Sequence, residues 1–273
     1  MPVNDELGKR MKSFYEEIPK TRLMRRTPVI IRIDGKAFHT LTRGFKKPFD
    51  HVLMSSMQDT MKYLCENIQG CVLGYTQSDE ISLLLIDYKH LNSAAWFDNE
   101  VMKMCSISAS MATLAFNKAF NHLAEEWITA LYEEWNISDE DKKYGKALLK
   151  CQEKGAMFDS RCFSIPKEEV TNYFYWRQLD ATRNSIEMVG QANFSHEELN
   201  KKSCNMIQDM LHEQKGINWN DFTVPEKRGS CCIKEKHIVG ESVRTIWVID
   251  KDIPIFTGKD RNYIEKLIEP EEV

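Results

Sequence analysis

The chain reads as an α+β protein, an antiparallel sheet in split β-α-β order with helices packed on it, plus a helical and β-hairpin C-terminal part. Three observations predict this class. Strand-sized β-branched runs alternate with long helical periods over the first 165 residues, in the order strand, helix, hairpin, helix, strand. The helix over Asp98 to Phe120 carries Ser106, Ser108, Ala109, Ser110, Ala112 and Ala115, small enough to let it approach a sheet closely. Two late runs, Gly229 to Val239 and Val243 to Ile249, have the spacing of a hairpin.

Asp5 to Ile18 opens the chain as an amphipathic helix with Leu7, Met11, Phe14 and Tyr15 on one side. Pro28 to Ile33 is a strand, followed by the basic loop Thr40 to Pro48. Asp50 caps a helix to Asn67, in which Val52, Leu53, Met57, Met61 and Leu64 keep helical spacing. Cys71 to Thr76 and Ile81 to Tyr88 form a hairpin around Gln77-Ser78-Asp79-Glu80, and Met157 to Ser164 is a further strand. With these elements, helices lie on one face of the layer. Pro166 starts a helix to about Gly190, and Ser195-His196-Glu197-Glu198 has the pattern of a capping box for one more. No repeat, low-complexity tract or Pro/Gly linker separates domains. The expected division is a catalytic part over 1–140 and a C-terminal part over 141–273, or one domain throughout.

Composition narrows the function. The 273 residues are 42% hydrophobic, enough for a substantial core. No apolar run nears the roughly 18 residues a membrane span requires, and no secretory pattern opens the chain. The eight cysteines include no C-x-x-C, and the seven histidines complete no zinc spacing. Reduced thiols in a cytoplasmic protein are the expectation. The net charge of −4 argues against a general nucleic-acid coat, yet the first 50 residues hold 12 Lys or Arg against 6 Asp or Glu. A basic N-terminal third suits a polyanionic substrate such as a triphosphate or RNA.

The chemistry centres on two acids at strand ends. Asp34 closes Val29-Ile30-Ile31-Arg32-Ile33 and is followed by Gly35-Lys36-Ala37-Phe38-His39, while Asp79 precedes Ile81-Ser82-Leu83-Leu84-Leu85. Two carboxylates on neighbouring strands are the minimum protein contribution to a magnesium–nucleotide site, where ions typically sit about 3.5–4 Å apart. Each Asp alone reads equally well as a turn residue. Gly35, without a side chain, lets backbone approach an ion or phosphate. Arg32, Lys36 and Lys47 are triphosphate partners by charge, and His39 is a donor or packs a base. A haloacid-dehalogenase phosphatase is excluded, because the position its nucleophilic Asp would occupy is Arg32. Further on, Trp176-Arg177-Gln178-Leu179-Asp180 and Asn184 fall on one helix. That helix either reads RNA through Arg177, Asp180 and Asn184 or is an ordinary amphipathic helix with Arg177 paired to an acid.

Together, Arg32-Ile33-Asp34-Gly35-Lys36-Ala37-Phe38-His39, Lys47-Pro48-Phe49-Asp50 and Tyr75-Thr76-Gln77-Ser78-Asp79-Glu80 resemble the tRNA-His guanylyltransferase family in order and spacing. Phe158-Asp159-Ser160-Arg161-Cys162-Phe163 and Trp176-Arg177-Gln178-Leu179-Asp180-Ala181 extend the resemblance, which covers about residues 5 to 250. It implies a polymerase-palm-like catalytic core and an enzyme that adds nucleotides to the 5′ end of tRNA, growing it 3′ to 5′. A 5′-monophosphate end is first activated with ATP, and the 3′-hydroxyl of an incoming triphosphate such as GTP then attacks. The resemblance assigns two Mg2+ ions to Asp34, the Gly35 carbonyl and Asp79, with Glu80 adjacent in the catalytic set. It places Asp34, Gly35, Lys36, Ala37, Phe38, His39, Lys47, Asp50, Ser78 and Asp79 at the nucleotide, and it implies a homotetramer.

One departure is informative. The eukaryotic branch follows Asp-Ala with His-Ile-Asn-Asn-Leu-Tyr-Asn, whereas here Asp180-Ala181 precedes Thr182-Arg183-Asn184-Ser185-Ile186-Glu187-Met188. This is similar to the bacterial and archaeal guanylyltransferase-like branch, which repairs 5′-truncated tRNAs by templated addition. Addition of G at position −1 of tRNA-His and a palm-type nucleotidyl cyclase are the alternatives.

Overall fold

A computed structural model describes residues 5–133, 137–239 and 242–270. The helices are α1 (Glu6–Met11), α2 (Phe38–Leu41), α3 (His51–Asn67), α4 (Val101–Glu133), α5 (Asp139–Lys154), α6 (Val170–Asn193), α7 (His196–Leu199), α8 (Cys204–Lys215), α9 (Val224–Arg228) and α10 (Asn262–Glu265). The strands are β1 (Val29–Gly35), β2 (Cys71–Gln77), β3 (Glu80–Leu85), β4 (Phe158–Ser164), β5 (Ser230–Val239) and β6 (Ser242–Asp250). They form one six-stranded sheet in the order β4-β1-β3-β2-β5-β6, with every pairing antiparallel. No described helix is long and apolar enough to cross a membrane.

The sheet is covered on both faces, where one covered face was expected. Strand β1 explains why: Val29, Ile31 and Ile33 point to one side and Ile30 to the other, and all four are buried. A strand apolar on both sides must be covered on both. On one face, Ile31, Ile33, Ile81 and Leu83 pack with Met57, Met61 and Leu64 of α3 and Ala112, Phe116 and Phe120 of α4. Small residues on α4 permit this approach, as expected. On the other face, Ile30, Leu73, Tyr75 and Leu84 meet Val170, Tyr173 and Phe174 of α6, with Ile253, Phe256, Ile264 and Ile268 from the C-terminal segment. Each large apolar side chain buried this way contributes about 1.5–3 kcal/mol.

Several boundaries differ from the sequence reading. Helix α4 begins at Val101, because Phe97, Asp98 and Asn99 are all left-handed (φ 48°, 56° and 57°). Helix α5 was not anticipated; it is capped by Ser138, whose hydroxyl accepts from the Asp141 amide at 3.0 Å. The capping box at Ser195 exists but starts only the four-residue α7, and Ser203 caps the longer α8. The N-terminal helix is α-helical only to Met11 and continues as a π-helical turn over Lys12–Glu16. Leu7, Met11, Phe14 and Tyr15 are all exposed there, so no described part of the chain covers that apolar side. The sheet spans the expected division at residue 140: β4 pairs along its length with β1, and β5 pairs with β2.

Candidate active site

The site is built where three antiparallel strands end together. In register, Asp34 of β1 lies opposite Glu80 of β3 on one side and Asp159 of β4 on the other. Strands β2 and β3 are joined by a two-residue loop, Ser78-Asp79, between the paired Gln77 and Glu80. Such a tight turn demands a residue at positive φ, and Ser78 supplies it at 54°. The Gly35 amide donates to the Asp79 carbonyl at 3.0 Å, tying the turn to the end of β1. Asp34 and Asp79 are therefore neighbours although 45 positions separate them.

Around them stand two more acids and three arginines. Glu80 accepts two hydrogen bonds from Arg177, at 2.7 and 2.9 Å, and pairs with Arg32 at 2.5 Å. Asp159 accepts from Arg161 at 2.9 Å. Asp34 has no ion-pair or hydrogen-bond partner among the described residues. Asp79 is bonded by the Ser78 hydroxyl at 3.1 Å, and its carboxyl is held above the ordinary carboxylate value by burial first, with Asp34 and Glu80 adding repulsion. The cluster thus pairs Glu80 and Asp159 with arginines and leaves Asp34 and Asp79 without an ion pair among the described residues.

The turn after β1 is shaped by packing. A Cβ on Gly35 would lie 2.4 Å from the Phe38 ring, so the absent side chain makes room for Phe38 as well as for any ligand. Phe38 is buried against Phe116 and Phe158, with ring centroids 5.4 and 5.2 Å away. Its ring is therefore turned into the core, where it anchors the turn, and the side chain is not exposed beside Lys36 and His39. Ala37 is left-handed (φ 54°), and Lys36 and His39 are exposed beside it, with His39 Nε2 3.0 Å from the Thr40 hydroxyl.

A cleft of about 460 Å³ lies along the basic loop, lined by His39, Arg43, Lys46, Lys47 and Asp50, with Met188 and Gln191 of α6 opposite. Its shape is held from below. Buried Asp50 accepts from the Leu53 amide at 2.9 Å, capping α3, and from the Lys46 amide at 3.0 Å, closing the loop. Both its oxygens are engaged by backbone, so Asp50 sets the loop rather than offering a bare carboxylate. Lys46 Nζ sits over the rings of Trp127 and Tyr144, at 5.1 and 4.9 Å.

Of the two readings left open for Arg177, the structure has the one in which it pairs with acids: it is 8% exposed and its guanidinium is committed to Glu80 and Asp180. Glu80, expected in the catalytic set, is taken up by Arg177 and Arg32. Asp180 is likewise held between Arg177 and Arg183, whereas the Asn184 side chain has no hydrogen-bond partner among the described residues. Arg32 itself pairs with Glu80, not with open solvent. Asp159, Arg43, Lys46, Met188 and Gln191 were missed. The Asp159 position was signalled by its place in a strand pattern next to Phe158, but the cleft wall from α6 had no local signal.

The arrangement matches known proteins. The tRNAHis guanylyltransferase family profile matches residues 8–166. A bacterial tRNA(His) guanylyltransferase-like protein solved in complex with ATP superposes with a TM-score of 0.78 at 42% identity, covering 96% of this chain and 99% of that one. A structure of such a bacterial protein in complex with GTP gives 0.76 at 40% identity, covering 97% and 99%. The tRNA(His) guanylyltransferase of Schizosaccharomyces pombe is 28% identical over 81% of this chain and 78% of its own length. More than half of the chain lies within the profile, and the identity is higher to the bacterial guanylyltransferase-like proteins than to the yeast enzyme. The chain therefore belongs to the tRNAHis guanylyltransferase family of nucleotidyltransferases, in its bacterial guanylyltransferase-like branch.

Proposed function

We propose that this protein adds nucleotides in the 3′–5′ direction to the 5′ end of tRNA, directed by the opposing strand, and so repairs 5′-truncated tRNA. The observation that carries this reading is the Asp34/Asp79 pair, which has no ion-pair partner among the described residues. The turn that follows Asp34 in the chain supplies His39 to the lining of a basic, nucleotide-sized cleft. Similarity to proteins solved with ATP and GTP supports triphosphates as substrates, with ATP activating 5′-monophosphate ends. The stretch after Asp180-Ala181, which lacks the eukaryotic pattern, favours templated addition over obligatory G addition.

The donor set suits two Mg2+ ions. The Asp34 and Asp79 carboxylates and the Gly35 carbonyl would hold them, an all-oxygen set with no nitrogen or sulfur, as suits hard divalent cations. When bound, Mg2+ lowers the pKa of an attacking hydroxyl and neutralises charge on the leaving group. The chain's own groups do the remaining work. Lys47, Arg43 and His39, which line the cleft, bind and orient the phosphates. Ser78 keeps Asp79 aimed inward through the tight turn. Arg177 and Arg32 draw Glu80 aside, so that its charge does not compete for the ion.

The test uses a tRNA transcript lacking its first nucleotide, with a 5′-triphosphate end, magnesium and each labelled nucleoside triphosphate in turn. Extension only by the nucleotide complementary to the opposing base is expected, and Asp34→Ala or Asp79→Ala abolishes it without unfolding the protein. Guanosine added regardless of the opposing base would make this a tRNA-His-type enzyme. A cyclic product from ATP or GTP without RNA would make it a cyclase. The homotetramer that the family resemblance implies is tested by light scattering, which distinguishes it from a monomer.

A further inference from the structure

A second cleft, of about 530 Å³, lies between the C-terminal end of α6 and the segment leading into α8. Its walls include Glu187, Gln191, His196, Asn200, Lys201 and Lys202. Gln191 lines both this cleft and the first. On a helix, residues three and four apart share a face. Met188 and Gln191 thus front the first cleft while Glu187 and Gln191 front the second, which makes the two adjoining stretches of one groove along α6.

The far stretch has the chemistry of a polyanion track. Lys201 and Lys202 are exposed, and neither ammonium group has an ion-pair or hydrogen-bond partner among the described residues. Lys201 holds a left-handed backbone (φ 61°), uncommon for a long side chain. That conformation is fixed by its neighbours: the Lys202 amide donates to the Leu199 carbonyl at 3.1 Å, and Ser203 caps α8 immediately after. Lys215 lies over the Phe194 ring, part of the same cleft, at 5.2 Å. Glu187 is the one acid on the described wall. Unpaired ammonium groups contact phosphates without reading sequence, and the carboxamides of Gln191 and Asn200 match ribose hydroxyls, which RNA offers at every nucleotide.

We infer that this groove holds the ribose-phosphate backbone of the RNA strand whose end is processed in the first cleft. The inference rests on the proposed function. It makes Lys201 and Lys202 non-specific RNA contacts and Gln191 the junction between nucleotide and strand.

The test is equilibrium binding of the truncated tRNA transcript across a salt series, for wild type and the Lys201→Ala/Lys202→Ala protein. Each lost phosphate contact lowers the slope of log K against log[salt] by about 0.7–0.9, so the double variant should be shallower by roughly 1.4–1.8. Its direct affinity for GTP and its Tm should match wild type, and Lys201→Arg/Lys202→Arg should keep the slope. An unchanged slope in the alanine variant overturns the inference while leaving the proposed function standing. Loss of GTP affinity with the RNA slope intact assigns the cleft to a free nucleotide and overturns it as well. Wild type that neither binds nor extends tRNA defeats the proposed function, and this groove with it.

Discussion

Arg177→Met tests whether the ion network behind the carboxylate pair organises the site. The guanidinium makes two bonds to Glu80 and one to Asp180, at 2.7, 2.9 and 2.9 Å, from a side chain only 9% exposed. Removing one partner of a buried pair costs about 3–5 kcal/mol, because the other charge is left in poor solvent. Here Glu80 keeps Arg32 and Asp180 keeps Arg183, which places the cost at the low end, about 3 kcal/mol. Unfolding entropy of about 2.1 cal/mol/K per residue converts that, over a chain of this length, into a Tm lowered by roughly 5 °C. Thermal and urea unfolding measure it, alongside Glu80→Gln and the double variant. The pair shares one network, so the cycle should be non-additive by about 0.5–3 kcal/mol. Arg177→Lys should recover charge without the two-pronged contact and fall between wild type and Met. Nucleotide addition should fall with Arg177→Met, since Glu80 is released next to Asp79. A Tm within 1 °C or so of wild type, or full additivity with Glu80→Gln, would refute the argument.

Asp79→Asn should stabilise the ligand-free protein at pH 7 while abolishing nucleotide addition. The Asp79 carboxyl is raised above the ordinary aspartate value of 3.8 by burial, so its contribution to stability is complete below that value and is lost as pH rises through the folded value. Unfolding curves at pH 7 should therefore favour the Asn protein, and the advantage should vanish near pH 3.5 to 4; a less stable Asn protein at pH 7 would contradict the sign. Gly35→Ala drives a Cβ to 2.4 Å from a Phe38 ring that Phe116 and Phe158 hem in. It should cost about 1–3 kcal/mol in urea unfolding and depress addition, with part of the stability regained in Gly35→Ala/Phe38→Leu.

Much of the site was legible in the chain because it is local. Asp34 follows a β-branched run and Asp79 precedes an apolar one, and a strand end is where such an acid becomes available. Asp50 announces its cap by standing before the helical period of Val52, Leu53 and Met57. Residues whose role depends on a distant partner were read less well. Phe38 looked like a binding residue within its motif, yet Phe116 and Phe158 bury it. A pairing of Arg177 with an acid was one of two open readings, but its partner Glu80, 97 positions away, had no local signal.

The sequence by itself determined the class of fold, the strand-end carboxylates, the basic loop and the family resemblance, because period, turn residues and motif spacing act within a few residues. Only the tertiary structure decided which charges are free. Antiparallel pairing sets Asp34 between Glu80 and Asp159. Helix α6, packed on the second face, delivers Arg177 to neutralise one acid and Met188 and Gln191 to wall the cleft. Pairing register and helix docking are long-range choices made by burial, so no local stretch of the chain records them.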